Sequence, residues 1–220
     1  MNEVAKQAAK QYESGDKEAA VITLTKALND DFKQLEIILQ LSTYLSYGGE
    51  FEQAEELLKR SLNIFPDEDT IKYNLGNIYF NQSKIDQALP IFTELLKTEM
   101  RNPASFMLAQ CYQQLGDNNH ALVYAITAAE NEHEDEGYAQ LVGDIFLAMG
   151  NVKDAKKYYL ISTDIRKNER NTFNLGVCLF TLDDPKAQSV FKESKAINQK
   201  YYEDNIQRLT DIQKIINENK

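Results

Sequence analysis

Two histidines, two cysteines and one dense run of carboxylates are the residues of this chain whose types could do chemistry. Histidine is the side chain most often used for proton transfer near neutral pH. His120 stands next to Ala121 at the start of an expected helix, and His133 lies in a stretch joining two helical segments. Both read as solvated residues, since surface histidines mostly have no catalytic role. The run Glu130, Glu132, His133, Glu134, Asp135 and Glu136 has the oxygen donors a hard cation such as calcium takes. A helical calcium loop needs glycine at its sixth place, however, and counting from Glu130 puts Asp135 there, with Gly137 too late. The run therefore reads as a charged linker, with no metal and no cofactor expected. Cys111 and Cys178 have no neighbouring histidine that could activate a thiolate. No phosphate-binding loop of the G-x-x-x-x-G-K-S/T type and no G-x-G-x-x-G fingerprint occurs, so no catalytic residues are assigned. An enzyme with an unrecognised site stays as a remote alternative, since helical scaffolds can carry sites.

The elements that would position these residues follow from the period of the sequence. Small residues recur at Ala8, Ser42, Gly76, Ala109, Gly143 and Gly176. A second series runs Ala20, Ala54, Ala88, Ala121, Ala155 and Ala187, and a third runs Gly15, Gly49, Ser83, Gly116 and Gly150. Two antiparallel helices approach closely only where side chains are short, and glycine supplies the dihedrals of a tight turn. Each period is thus a helical hairpin. Leu75, Ile78 and Tyr79, then Ile91, Phe92 and Leu95, fall at helical spacing and give each helix one inward face.

Asn74-Leu75-Gly76-Asn77-Ile78-Tyr79, followed by Ala88, Phe92 and Leu95, resembles the tetratricopeptide repeat signature. The likeness implies an all-α fold, a right-handed superhelical solenoid of antiparallel helix pairs in a single domain. Its repeats fall at 1–34, 35–68, 69–101, 102–135, 136–168 and 169–200. The aromatic often found early in the first helix is absent from its six positions (Val4, Ile38, Lys72, Ser105, Ala139 and Thr172), and the usual closing proline survives only as Pro66. In the sixth repeat Asp183-Asp184-Pro185 stands where the glycine turn would be and one residue is missing, so a tighter turn is expected there. Ile206, Leu209, Ile212, Ile215 and Ile216 form an apolar stripe, read as a capping helix over 201–217 that covers the last repeat. Cys111 and Cys178 occupy equivalent positions two repeats apart, where both should be buried and too distant for a disulfide.

The family resemblance further implies that the first helices line a concave groove that holds a partner protein or peptide. Transferred position by position, the groove comprises Leu39, Thr43, Ser46 and Tyr47, then Tyr73, Asn77, Phe80 and Asn81, then Phe106, Gln110, Gln113 and Gln114. Gln140, Asp144 and Leu147 follow, and Phe173, Val177 and Phe180 complete it. Tyr73, Asn77, Phe80, Asn81, Phe106, Gln110, Gln113, Gln114, Gln140 and Phe173 are the expected partner-binding set. Amides suit pairing with a peptide backbone and aromatic rings supply rigid contact area. The same phenylalanines could instead pack between repeats. The family's carboxylate-clamping members carry cations where this chain has Tyr73, Phe106 and Met107, and Asn77 alone matches, so an acidic-tail adaptor is not expected.

The formal net charge of -10 and the sequence pI near 4.8 argue against nucleic acid as a partner. A DNA-binding domain ahead of the repeats is likewise not expected, because the first repeat begins at Met1. No segment approaches a membrane-spanning run of apolar residues, and two cysteines in 220 residues suit a reducing compartment, which reads as cytoplasmic. The expected function is a non-catalytic adaptor or scaffold. Its alternative is a homodimer built through the first helix (Val4, Ala5, Ala8 and Ala9) or the last.

Overall fold

The computed structural model describes residues 2–130 and 134–218, and in the last helix the side chains through residue 207 and that of Leu209. Thirteen helices are found among them, in consecutive antiparallel pairs. They are α1 (Glu3–Glu13), α2 (Lys17–Asp30), α3 (Leu35–Gly48), α4 (Phe51–Leu62), α5 (Asp69–Asn81), α6 (Ile85–Leu95) and α7 (Arg101–Gln114). These are followed by α8 (Asn118–Ala129), α9 (Glu136–Ala148), α10 (Val152–Ile165), α11 (Glu169–Thr181), α12 (Ala187–Ile197) and α13 (Gln199–Glu218). None of the described helices is long and apolar enough to cross a membrane. The chain divides into two compact units, Met1–Cys111 and Tyr112–Lys220, with the division inside α7.

Within a pair, close approach is set by matching a small residue on the first helix to the residue facing it on the second. A β-carbon on Gly76 would lie 2.8 Å from two ring carbons of Phe92, one on Gly143 2.9 Å from Tyr159, and one on Gly176 2.7 Å from Phe191. Each glycine is therefore the floor on which an aromatic ring of the facing helix rests. Where the small residue is Ala8 or Ser42, the register places Leu24 or Leu58 in the ring's position, and both leucines are fully buried. In these five repeats side-chain volume is roughly conserved across the contact, as a close-packed interior favours, whereas the fourth sets Ala109 against Ala125, both buried.

The turn inside each pair is the same in all six repeats. Its penultimate residue is left-handed, at Gly15, Gly49, Ser83, Gly116, Gly150 and Asp183. The next amide donates back to the carbonyl five residues earlier, as in Asp16 N–H to Gln11, Lys84 N–H to Tyr79 and Asp184 N–H to Leu179, at 2.8–2.9 Å. The sixth turn is thus not tighter. Asp183 holds the glycine register, and the missing residue is taken from the start of the following helix. Asp184 to Ala187 is three residues, where the other repeats have four, as from Asp16 to Ala20. Ser83, with φ 58°, takes the strain that glycine avoids in four sister turns. A left-handed L-residue costs about 1–2 kcal/mol, part of which glycine returns as chain entropy. Ser83→Gly is expected to raise unfolding free energy by about 0.5–1 kcal/mol; a lower urea midpoint would show the serine side chain to be worth more than the strain.

The second unit adds buried polar ties. Asp144 on α9 accepts from the Tyr159 hydroxyl at 2.6 Å and the Asn174 amide at 3.1 Å, and its second oxygen pairs with Arg170 at 2.7 Å. Burial raises the Asp144 pKa above the ordinary carboxyl value even with Arg170, Tyr159 and Asn174 opposing it. Glu136, also buried, accepts from Arg166 through Nε at 2.9 Å and Nη2 at 2.6 Å. Burial works against its ionisation, but the bonds from Arg166 and Asn168 outweigh it and hold the pKa below the ordinary value. Asn171, fully buried, reaches the Ser162 hydroxyl at 2.9 Å and the Arg166 carbonyl at 2.8 Å.

The last helix is seated by aromatic rings. Phe173 on α11 lies 5.5 Å from Phe191, 6.0 Å from Tyr201 and 6.1 Å from Tyr202, in tilted and edge-on contacts. Of the anticipated capping stripe, Ile206 and Leu209 are half-buried, while the side chains of Ile212, Ile215 and Ile216 lie outside the described residues.

Candidate functional site

In the first unit, α3, α5 and α7 present side chains to a common cleft of about 390 Å³. From α3 come Ser42, Thr43, Ser46 and Tyr47; from α5 Asn74, Asn77, Ile78, Phe80 and Asn81; from α7 Met107 and Gln110. The helical period explains the α5 set, because positions 74, 77, 78 and 81 fall three or four apart on one face. None of the lining residues is charged. Tyr47 is 73% exposed at the rim.

Several of the cleft's polar groups are engaged only lightly. The Asn81 amide reaches the Ser46 hydroxyl at 3.4 Å and the Asn74 amide reaches Ser42 at 3.5 Å, both long for hydrogen bonds. Ser42 and Thr43 donate their hydroxyls to the Leu39 carbonyl at 2.8 and 2.9 Å. Asn77 Oδ1 is buried with no hydrogen-bond partner. Such an acceptor carries a desolvation cost of about 1–3 kcal/mol until something donates to it.

Of the ten residues expected to bind a partner, Asn77, Phe80, Asn81 and Gln110 come together in this cleft. Tyr73 and Phe106 belong to the same unit but do not line it. Tyr73 is half-buried, with its ring edge-on to Phe92 at 5.7 Å, and burial raises its hydroxyl pKa against the pull of Asn77. Phe106 is half-buried on α7. The remaining four are in the second unit: Gln113 half-buried, Gln114 exposed, Gln140 half-buried with an unpartnered Oε1, and Phe173 only 4% exposed. Phe173 is thus a core residue and offers no surface to a partner. Ser42, Asn74 and Ile78 also line the cleft and were passed over in the sequence, although Ser42 stands four residues from Ser46, Asn74 three from Asn77 and Ile78 three from Asn81, a usable signal.

Three of the other candidates for chemistry, His120, Asp135 and Glu136, have structural partners. His120 Nδ1 lies 2.6 Å from Asp117, which also caps α8 by accepting from the His120 backbone amide at 3.1 Å, a bond that helps hold the Asp117 carboxyl below its ordinary pKa. His133 and Glu132 lie outside the described residues. Asp135 caps α9 through the Gly137 amide at 2.7 Å, and Glu136 is the buried partner of Arg166. Both cysteines are buried and free, and burial pushes each thiol pKa up to about 12. Among the described residues no group of three or more His, Cys, Asp or Glu side chains is arranged to hold a metal ion.

Comparison with known proteins places this geometry in context. Residues 49–100 match a family described as YpiA-like, tetratricopeptide repeats. No curated protein sequence matches the chain. Among solved structures, PilF of Pseudomonas aeruginosa is 16% identical with a TM-score of 0.76, over 93% of this chain and 96% of that one. A thermophilic tetratricopeptide protein of Thermus thermophilus is 17% identical with a TM-score of 0.67, over 80% of this chain and 97% of that one. YrrB, described as a tetratricopeptide protein with an unusual peptide-binding site, is 20% identical with a TM-score of 0.60, over 84% of this chain and 97% of that one.

Proposed function

We propose that this chain, a tetratricopeptide-repeat protein, binds an extended peptide segment of another protein in the cleft of α3, α5 and α7 and carries out no catalysis itself. The observation that carries the reading is the cleft lining itself, amides and hydroxyls from three helices with no charged residue among them. A peptide backbone supplies alternating donors and acceptors, which asparagine and glutamine satisfy simultaneously. Tyr47 and Phe80 add rigid apolar area at either side. A neutral lining favours a segment with few charges, because an ionised side chain would lose its water there without gaining a counter-charge. The peptide-binding site described for YrrB, similar in fold, supports the class of ligand.

The non-catalytic part of the reading rests on where the perturbed ionisable groups sit. Asp144 and Glu136 are held in pairings that join helices of the second unit, the two thiols are buried, and none of the four lines the cleft.

A peptide-display selection on the purified protein should enrich a consensus low in charge. The triple variant Asn77→Ala, Asn81→Ala, Gln110→Ala should bind the enriched peptide at least about tenfold more weakly, since each lost hydrogen bond is worth about 0.5–1.5 kcal/mol. Unchanged circular dichroism would show that the fold survives. Equal affinity for wild type and variant would remove the cleft from consideration.

A further inference from the structure

A second recess lies in the second unit, between second helices of neighbouring repeats. Ile126 and Ala129 of α8, Ala139 of α9, and Tyr158, Ile161 and Ile165 of α10 form the apolar part of a trough of about 400 Å³. Ile161 is 49% exposed, so this apolar surface is open to solvent. The spacing on each wall is helical: Ile126 and Glu130 are four apart on α8, and Tyr158, Ile161 and Ile165 step by three and four on α10. Two such ridges with a furrow between them are the surface into which a further helix packs its own apolar side chains.

Among the described residues, the ionised groups that line this trough, Glu130 and Asp164, are of one sign. Both stand at helix C-termini, where the backbone adds negative partial charge, and neither α8 nor α10 has a basic residue in its last turn to offset it. Arg166, the residue that follows α10, is paired with Glu136. An occupant must therefore bring apolar side chains for the floor and cations for the rim. A second copy of this acidic chain, formally at -10, meets repulsion there, and so does an anionic lipid surface.

We infer that the α8–α10 trough docks a cationic amphipathic helix of a partner protein, its apolar stripe on Ile126, Ile161 and Ile165 and its basic flank against Glu130 and Asp164. This surface is separate from the peptide cleft of the first unit and does not depend on it.

The probe is a short synthetic peptide of leucine and lysine patterned as an amphipathic helix, fluorescently labelled, with a leucine and glutamate peptide of the same pattern as its counterpart. Anisotropy titration should show binding of the lysine peptide alone. Ile161→Ser, and separately Glu130→Lys with Asp164→Lys, should each weaken it at least about tenfold. Both changes are at solvent-exposed positions, and circular dichroism would verify folding. The cleft variant Asn77→Ala, Asn81→Ala, Gln110→Ala should bind this peptide as wild type does, so failure of one site is distinguishable from failure of the other. Equal binding by wild type and both trough variants would mean diffuse attraction to an acidic chain and would overturn the assignment. So would a sedimenting dimer abolished by Ile161→Ser, which puts a second copy in the trough, or vesicle binding abolished by it, which puts lipid there.

Discussion

Tyr159→Ala is expected to cost about 4 kcal/mol of unfolding free energy, a large fraction of the stability of a typical domain. Tyr159 is among the largest fully buried side chains of the protein, and its ring rests on Gly143, where it replaces the side chain that α9 lacks. Truncation leaves a cavity that the glycine cannot fill. It also removes the hydroxyl that donates to Asp144 at 2.6 Å, leaving a buried carboxylate with one donor fewer. The two losses separate by mutation. Tyr159→Phe keeps the ring and removes only the hydroxyl, for about 1.5–3 kcal/mol, the range for a hydrogen bond to a charged group. It should also raise the Asp144 pKa further, because burial already disfavours that charge and one opposing hydrogen bond is gone. Urea denaturation of both variants, followed by circular dichroism, checks the ordering. A Tyr159→Ala variant as stable as Tyr159→Phe would mean that ring packing on Gly143 contributes nothing.

The repeats were legible in the sequence because their constraint is local and recurs. A glycine that must admit an aromatic ring stands fifteen or sixteen residues before that ring, at Gly76 and Phe92, Gly143 and Tyr159, and Gly176 and Phe191. The turns were legible for the same reason, and the two exceptions, Ser83 and Asp183, are the residues that adopt the glycine conformation without being glycine. Seven of the eleven residues that line the cleft, Thr43, Ser46, Tyr47, Asn77, Phe80, Asn81 and Gln110, were among the groove positions that the family resemblance implied. What spacing could not decide was whether an aromatic at a groove position faces solvent. Phe173 and Phe180 lie seven residues apart on α11, yet the first is core and the second 50% exposed, because Tyr201 and Tyr202, almost thirty residues downstream, close over Phe173. Glu136 is hidden in the same way: within an acidic run it reads as linker, and only Arg166, thirty residues on, makes it a buried ion-pair partner. Long-range partners of this kind leave no trace in a local pattern.

Gly76→Val is expected to lower stability by about 3 kcal/mol, against the sign that helix propensity alone would give. Valine is a slightly better helix former than glycine, which would favour the substitution by a few tenths of a kcal/mol. The first added carbon, however, would sit 2.8 Å from Cε1 and Cζ of Phe92, a ring that is fully buried and meets Tyr73 edge-on at 5.7 Å. Relief therefore requires α5 and α6 to separate, and overpacking of this kind costs about 1–3 kcal/mol or more. Separation would also move Asn74 and Asn77, which flank Gly76 on α5, so the peptide binding proposed for the cleft should weaken along with stability. The first and second repeats suggest the compensating change, since Ala8 and Ser42 stand in the glycine's place with Leu24 and Leu58 in the ring's. Gly76→Ala with Phe92→Leu reproduces that pairing, and the double variant should be more stable than Gly76→Ala alone. A thermodynamic cycle over these two positions measures the coupling directly. Additive losses would mean that the glycine and the ring do not constrain each other, and that the small-residue series is set by something other than the facing side chain.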